Sequence, residues 1–191
     1  MARFEISEAI TQINEGGYAD HPDDKGGETY AGIARNHWTN WEGWQKIDII
    51  KRSLKLANKP VNALNINREC KKLPILNDYV LKFYEQNFWD VLKLDFIENQ
   101  QLSNSIYDFG VNSGTVKAVK LIQQSVNNVH GTRLLVDGKM GVKTITEINK
   151  ANSRRLYNEF NKLRKEFYIS IAKGSQEQFL KSWLSRLKPY Q

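Results

Sequence analysis

EGGYADHPDDKGGETYAG, residues 15–32, contains five glycines and, among its acidic residues, a glutamate and an aspartate that are each followed by glycine-rich sequence. Glu15 precedes Gly16 and Gly17, Asp24 follows nine residues later, and Thr29 comes after a second pair of glycines. Because glycine has no side chain, it adopts positive φ angles and lets the backbone approach a bulky polymer closely. Two carboxylates in a glycine-rich turn or short hairpin beside a cleft suit the hydrolysis of a glycosidic bond.

A helix is predicted immediately before this segment. Apolar residues recur at helical spacing on one face (Ile6, Ala9, Ile10 and Ile13). Polar residues occupy the other face (Ser7, Glu8, Thr11 and Gln12). We therefore expect an amphipathic helix over residues 3–15, with Gly16 as its stop.

Glu15 falls in the last turn of this helix, among carbonyl groups that lack helical partners. Negative partial charge at that end, together with apolar cover from Tyr18, favours the protonated carboxyl group that a general acid needs. Each motif alone also fits a plain structural interpretation. A glutamate before two glycines is common at helix–loop junctions, and the segment from Asp24 to Thr29 fits an ordinary turn. Their combination at this spacing favours catalysis.

The two motifs resemble the signature of the glycoside hydrolase family 108 lysozymes, which are phage-type N-acetylmuramidases. The similarity is carried by Glu15-Gly16-Gly17-Tyr18 and by Asp24-x-Gly26-Gly27-x-Thr29-x-x-Gly32-Ile33. Further along, Tyr84-x-x-x-Phe88-Trp89 matches the aromatic segment that closes the first half of the family. The predicted peptidoglycan domain of the family is resembled by Asp108-x-x-x-Asn112-x-Gly114 and Asp137-Gly138-x-x-Gly141-x-x-Thr144, and its C-terminal motif by Trp183-x-x-Arg186.

The resemblance implies a lysozyme-like fold with a catalytic region over residues 1–95 and a helical peptidoglycan-binding region over residues 96–191, packed into the same globule. It implies that Glu15 is the general acid and Asp24 the second carboxylate. A similar interval in phage lysozymes of the T4 type favours an inverting reaction, in which Thr29 helps to hold the attacking water. The residues implied to bind substrate are Gly16, Gly17, Tyr18, Gly26, Gly27, Tyr30 and Asn112.

The rest of the chain is predicted to be helical. Apolar spacing and capping residues predict helices after Pro74, from Thr115 as cap to about Asn127, from Ser153 to a stop at Gly174, and from a capping box at Ser175 and Gln178. Two helices have clear stripes of apolar residues (Val119, Ile122 and Val126; Leu156, Phe160, Leu163, Phe167 and Ile171). A short hairpin within residues 17–34 interrupts the helical pattern. The predicted fold class is therefore all-α, or α+β at most through this hairpin.

Composition adds an excess of positive charge. The chain has 191 residues, of which 40% are hydrophobic and 26% charged, and its net charge is +7. Such a charge favours polyanionic partners such as nucleic acid, anionic lipid or a bacterial wall. The lone Cys70 forms no internal disulfide and is expected to be buried. The N-terminus lacks an apolar signal core and no apolar run is long enough to span a membrane, so we expect synthesis in the cytoplasm and action on the wall after release or export.

No metal or other cofactor is expected. The three histidines (His21, His37 and His130) lack partners at metal-ligand spacing, and the glycines follow a helix rather than the strand that precedes a phosphate loop. Trp38, Trp41 and Trp44 recur every three residues. That spacing fits either a platform on which sugars stack or one packed face of a helix, and we favour packing.

Taken together, these features predict a lysozyme that cleaves the β-1,4 bond between N-acetylmuramic acid and N-acetylglucosamine. We expect it to act on peptidoglycan as a monomer, without nucleic acid and without stable membrane insertion. Three alternatives remain: a chitinase-like glycosidase with the same acid, a non-catalytic wall-binding or secretion-associated protein, and a basic nucleic-acid binder. Intact Glu15 and Asp24 argue against the second, and the lack of a nucleic-acid motif argues against the third. An endolysin, a secreted effector and a wall-remodelling enzyme would share these features.

Overall fold

A computed structural model describes residues 1–11, 16–20 and 27–191. Within them the chain is mostly helical with one small antiparallel sheet, which confirms the predicted fold class. The α-helices are α1 (Phe4–Thr11), α2 (Gly43–Leu56), α3 (Ala63–Cys70), α4 (Pro74–Tyr84), α5 (Gln100–Ser113), α6 (Thr115–His130), α7 (Val142–Lys150), α8 (Ser153–Ile171) and α9 (Leu180–Ser185). The strands are β1 (Tyr18–Ala19), β2 (Thr29–Tyr30) and β3 (Ile33–Ala34). A π-helix covers Glu85–Trp89, and 3-10 helices cover Leu94–Phe96 and Gly174–Phe179.

The chain divides into two compact units. The hairpin unit comprises Thr11–Glu85, and the terminal unit comprises Met1–Ile10 and Gln86–Gln191. No helix in the described ranges is long and apolar enough to cross a membrane. The functional division into a catalytic region over residues 1–95 and a peptidoglycan-binding region over residues 96–191 stays a prediction.

The sheet of the hairpin unit has the strand order β1-β2-β3, with both pairs antiparallel. Tyr30 lies opposite Tyr18 on one side and Ile33 on the other. The two-residue turn between β2 and β3 has positive φ at both Ala31 and Gly32, which is the backbone geometry that matches the twist of a tight hairpin. The predicted hairpin is therefore confirmed, with a third strand added.

Three helices pack around an apolar core in the hairpin unit. The buried core residues come from β1, β3, α2, α3 and α4 (Tyr18; Ile33; Trp44, Ile47, Ile50 and Leu54; Ile66 and Cys70; Leu76, Val80, Phe83 and Tyr84). Burial of Cys70 is as predicted, and it raises the pKa of the thiol to about 11. Cys70 therefore stays in the thiol form at neutral pH.

The terminal unit is built on α5, α6 and α8. The predicted stripe of α6 is fully buried, and on α8 the stripe is buried at Leu156, Phe160 and Leu163 but emerges at Phe167 and Ile171. Asparagine side chains cap two of these helices: Asn99 Oδ1 accepts from Leu102 N at 2.8 Å, and Asn152 Oδ1 accepts from Arg155 N at 3.0 Å. Such caps satisfy amide groups that a helix start otherwise leaves unpaired.

A polar cluster in the terminal unit is centred on Arg164 of α8, whose side chain is 1% exposed. Its guanidinium donates to Asp108 Oδ2 at 2.5 Å and to Ser105 Oγ at 2.6 Å, and it lies over the ring of Phe109. Arg186 donates to the other oxygen of Asp108 at 2.7 Å. We call Arg164, Asp108, Ser105 and Arg186 the arginine cluster. It ties α5, α8 and the segment after α9 together with charge-assisted hydrogen bonds.

The C-terminal motif Trp183-x-x-Arg186 belongs to this arrangement. Trp183 stacks on Tyr168 with ring centroids 5.7 Å apart, while Arg186 reaches Asp108. The predicted capping box at Ser175 and Gln178 is wrong, because Gln178 Nε2 donates to the carbonyl of Ser175 and the segment is a 3-10 helix. Thr115 likewise does not cap α6, whose cap residue is Gly114 with no side-chain hydrogen bond.

Helix α1 differs from its prediction in the face that it buries. Glu8 is 2% exposed and Ser7 is fully buried, whereas Ile6 and Ile10 are exposed. The reason lies in α5, which presents polar partners: Tyr107 donates from its hydroxyl to Glu8, and Ser7 Oγ donates to Asn104 Oδ1 at 2.6 Å. Hydrogen bonds from a distant helix therefore set the orientation of α1, against its own apolar pattern.

Candidate active site

The predicted site residues fall into three groups. Glu15, Asp24 and Gly26 lie outside the described residues, so their roles stay predictions. Asn112 lies on α5 in the terminal unit. The remaining residues lie in or beside the sheet of the hairpin unit (Gly16, Gly17, Tyr18, Gly27, Thr29 and Tyr30).

The sheet sets the positions of Thr29 and Tyr30. Thr29 lies opposite Ala19, and Tyr30 lies opposite Tyr18. Thr29 Oγ1 donates to the carbonyl of Gly27 at 3.3 Å, which fixes the hydroxyl against its own loop. A hydroxyl that donates its proton keeps lone pairs with which to accept a hydrogen bond from water.

Gly27 is required by its surroundings. It has a φ of +66°, and a Cβ at this position would lie 2.9 Å from Nδ2 of Asn36. Both the left-handed backbone and the close approach favour glycine. Gly27 thus allows the close approach of Asn36 two residues before Thr29.

Tyr18 is a buried anchor of the hairpin. It is 5% exposed, its hydroxyl donates to Glu28 Oε1 at 2.8 Å, and the ammonium of Lys51 lies 5.2 Å from its ring centroid. Burial, followed by the nearby charge of Asp20, raises the pKa of Tyr18 to about 12. The hydroxyl of Tyr18 therefore keeps its proton across the physiological pH range and donates a hydrogen bond to Glu28.

Glu28 is the centre of a charged network that the sequence did not predict. Its side chain is 14% exposed, and both Arg35 and Lys51 form ion pairs with it. The structure turns Glu28 inward, toward these two cations. Because Glu28 directly precedes Thr29, the network holds the loop that carries the predicted water-binding hydroxyl.

The network continues to α2 through Arg35. Its guanidinium donates to Asp48 at 2.9 and 2.5 Å in a bidentate pair and lies 5.1 Å from the ring centroid of Trp44. The hydrogen bond from Arg35 lowers the pKa of Asp48, while burial lowers the pKa of Lys51. Tyr18, Glu28, Arg35, Asp48 and Lys51 are called the hairpin charge network below.

The sequence gives a weak indication that the two network residues on α2, Asp48 and Lys51, have partners. Trp44, Asp48 and Lys51 share one face of α2 at spacings of four and three residues. Charged side chains on the same face as a buried tryptophan indicate that they meet partners rather than water. Which partners they meet depends on the hairpin, where Glu28, the partner of Lys51, lies 23 residues earlier in the chain.

Asn67 of α3 clamps the edge of β1. Its Oδ1 accepts from Tyr18 N at 2.6 Å, and its Nδ2 donates to Tyr18 O at 3.0 Å, as a neighbouring strand would. A Cβ on Gly17 would lie 2.2 Å from that Oδ1. Gly17 is therefore needed to let Asn67 approach the strand, which is a structural reason for the second glycine of the first pair.

The tryptophans divide between core and surface. Trp44 is buried in α2, as predicted, but Trp38 and Trp41 precede that helix, so the three do not share a helix face. Trp41 is half-buried and stacks on Tyr30 with centroids 6.1 Å apart, while Trp38 is 38% exposed and meets Phe83 edge-on. Tyr30 and Trp41 together form an aromatic surface beside the hairpin.

Asn112 has a local partner. Its Nδ2 donates to the carbonyl of Asp108 at 2.6 Å and lies 3.3 Å from the carboxylate of Asp108. The side chain is exposed on α5. Its predicted contact with substrate stays a prediction.

No group of three or more His, Cys, Asp or Glu side chains among the described residues is arranged to hold a metal ion. The described part of the site consists of the three-stranded hairpin, the hairpin charge network and the aromatic surface of Tyr30 and Trp41.

Two models of protein families match this chain. A family model described as glycosyl hydrolase 108 matches residues 9–114, and one described as a predicted peptidoglycan domain matches residues 117–188. No curated protein matches the chain. Among solved structures, SagA of Brucella abortus is similar, with a TM-score of 0.65 and 27% identity over 96% of this chain and 88% of that chain.

Proposed function

This chain belongs to the glycosyl hydrolase 108 family, and on that premise we propose that it cleaves the β-1,4 bond between N-acetylmuramic acid and N-acetylglucosamine. The chain is a peptidoglycan hydrolase, and the family resemblance of its motifs is confirmed. The observation that carries the proposal is that the match over residues 9–114 includes both carboxylates and the hairpin.

In the proposed reaction, Glu15 protonates the oxygen of the leaving sugar. Positive charge then builds at the anomeric carbon, and Asp24 acts as general base on a water that attacks from the opposite face. The new bond forms to the water oxygen as the glycosidic bond breaks, so the product has inverted configuration. Thr29, whose hydroxyl proton is directed to Gly27 O, accepts a hydrogen bond from this water.

The hairpin charge network holds the backbone that leads into Thr29. Glu28 is held by Tyr18, Arg35 and Lys51, and it fixes the backbone immediately before Thr29. A displacement of a reacting group by about 1 Å can slow a reaction by about 10²-fold. Hydrogen bonds that hold the backbone at Thr29 are therefore expected to increase the reaction rate.

Peptidoglycan is the substrate, and the finer details of partner and location are part of the proposal. We propose that the protein acts as a monomer, because one chain contains both the hydrolase match and the peptidoglycan domain match. We further propose that it reaches the wall after release or export from the cytoplasm.

Mass spectrometry of the fragments released from purified peptidoglycan tests the bond specificity. The proposal predicts fragments whose reducing end is N-acetylmuramic acid. Reducing-end N-acetylglucosamine would identify a glucosaminidase, and intact glycan strands with detached peptides would identify an amidase. Either of these results would contradict the proposal.

The stereochemical outcome tests the role of Asp24 separately. NMR of the first-formed product should show the inverted anomer, before mutarotation equilibrates the two forms. A retained configuration would require a covalent intermediate and would remove the general-base role of Asp24.

A further inference from the structure

Positive charge is concentrated in one part of the chain. Residues 117–188 contain 15 Lys and Arg against 5 Asp and Glu, whereas the remaining residues contain 13 against 16. The net charge of +7 therefore arises from a region of +10 and a remainder of −3. A surface that attracts an anionic partner is to be sought within residues 117–188.

An open groove lies in this region, between the segment after α6 and the start of α7. It has a volume of about 480 Å³ and is lined by Thr132, Arg133, Leu134, Val142, Lys143, Thr146 and Glu147. We call it the α7 groove. Val142 is largely exposed although it is apolar, so the groove offers apolar contact together with charge.

One wall of the α7 groove is held in place by Asn127 of α6. Asn127 Nδ2 donates to Leu134 O at 2.9 Å, and its Oδ1 accepts from Leu134 N at 2.8 Å. The same Oδ1 accepts from Thr132 Oγ1 at 2.8 Å. A wall fixed by three hydrogen bonds loses little conformational entropy when a ligand binds.

The charged side chains that line the groove differ in whether they form ion pairs. Glu147 accepts from Lys150 at 2.9 Å and lies 3.7 Å from His130 Nδ1. Neither Arg133 nor Lys143 forms an ion pair with any described residue. Two cations thus remain available at the groove, beside two threonine hydroxyls and an apolar surface.

We propose that the α7 groove binds the short acidic peptides attached to the glycan strands of peptidoglycan. This inference rests on the proposed function, since it names the part of the same substrate that the groove recognises. Arg133 and Lys143 fit the peptide carboxylates, and Val142 and Leu134 fit the methyl groups of its alanine residues. Glycan without peptide offers only the single lactyl carboxylate and methyl of each N-acetylmuramic acid, whereas the peptide offers several carboxylates and methyl groups along one chain. We therefore expect the groove to favour wall that carries peptides.

Calorimetric titration of the full chain with two soluble probes tests the proposal. One probe is the disaccharide with its peptide, and the other is the same disaccharide without peptide. The disaccharide is N-acetylglucosamine linked to a terminal N-acetylmuramic acid, which the proposed reaction produces and does not cleave. The peptide-bearing probe should bind at least about tenfold more tightly, as expected for one or two charge-assisted hydrogen bonds.

Variants that remove the two cations test whether the difference in affinity between the probes arises at the groove. Arg133→Gln with Lys143→Gln should abolish the tenfold difference between the probes. The matched control is Lys173→Gln with Lys181→Gln, which removes the same charge from two exposed positions of the same basic region. The control should keep the difference.

Two results would overturn the proposal: equal affinity for the two probes, or equal loss of affinity in the groove variant and the control. Equal loss would mean that overall charge attracts the peptide without a local site. Failure of the parent protein to release fragments from peptidoglycan would instead contradict the proposed function, while the titration would still decide on the groove.

Discussion

Two arginine–carboxylate pairs, one in each unit, use the same chemistry in different surroundings. In the terminal unit, Arg164 is 1% exposed and its partner Asp108 is 15% exposed. In the hairpin unit, Arg35 and Asp48 are 30% and 39% exposed. A buried charge that loses its partner has no water to replace it, whereas a half-exposed charge is rehydrated.

The difference assigns different roles to the two pairs. The arginine cluster joins α5, α8 and the C-terminal segment, so it maintains the fold of the terminal unit. The hairpin charge network holds Glu28 beside Thr29, so it acts mainly on the geometry of the predicted site. Substitutions in the first should therefore change stability, and substitutions in the second should change activity more than stability.

Arg164→Met should have the largest effect on stability. It removes the buried cation that pairs with Asp108 and leaves that carboxylate with Arg186 alone, so the free energy of unfolding should fall by about 3 to 5 kcal/mol. Urea unfolding followed by circular dichroism measures the change. Lys165→Met, at the exposed neighbouring position, is the control and should stay within about 0.5 kcal/mol of the parent. Equal stability of the two variants would refute the structural role of the arginine cluster.

Glu28→Gln should have an intermediate effect and should act on both properties. It removes the negative charge that Arg35 and Lys51 face, which should lower the free energy of unfolding by about 1 to 2 kcal/mol. Displacement of the Thr29 loop should slow wall clearing by about tenfold. The matched control is Glu42→Gln, since Glu42 is exposed and should tolerate the change. Unchanged activity in a destabilised Glu28 variant would show that the network supports only the fold.

The smallest effect concerns the pH dependence of the Arg35–Asp48 pair. The pKa of Asp48 is lowered in the folded protein, so its contribution to stability is complete above its unfolded pKa of about 3.9. The contribution is lost as the pH falls through the lower folded value. Because both side chains are partly exposed, it should amount to about 0.5 kcal/mol. Urea unfolding of the parent and of Asp48→Asn from pH 7 to pH 3 should show a difference that disappears at the acidic end. A difference that stays constant with pH would exclude an electrostatic origin.

The helices and the hairpin could be predicted from sequence because they depend on local spacing and on glycines. The orientation of α1 could not, because Asn104 and Tyr107, which hydrogen-bond to its polar face, lie almost 100 residues away. Apolar periodicity assumes that the covering surface is apolar, whereas α5 presents the amide of Asn104 and the hydroxyl of Tyr107 to α1. The misassigned caps at Thr115 and Ser175 have a similar cause, since the backbone before them decides whether a side chain can reach the amide groups.

The candidate site likewise contains some contacts that follow from local sequence and others that depend on distant residues. Thr29 and the glycine pairs belong to a continuous motif, so their proximity follows from the sequence. Asp48 reaches Arg35, and Asn67 reaches Tyr18, only after α2 and α3 have packed against the hairpin, so these contacts could not be predicted from spacing. Asn67 also supplies a physical reason for Gly17 that is independent of catalysis.

Glu15→Gln tests the central claim most directly, because the variant keeps the shape of the side chain and removes the transferable proton. The rate at which it clears cell-wall suspensions should fall by about 10²-fold or more. Its urea midpoint should match that of the parent, which separates loss of chemistry from loss of folding. Asp24→Asn should lose less, since a neighbouring polar group can still place the water. A folded Glu15→Gln protein that clears walls at nearly the parental rate would contradict the account.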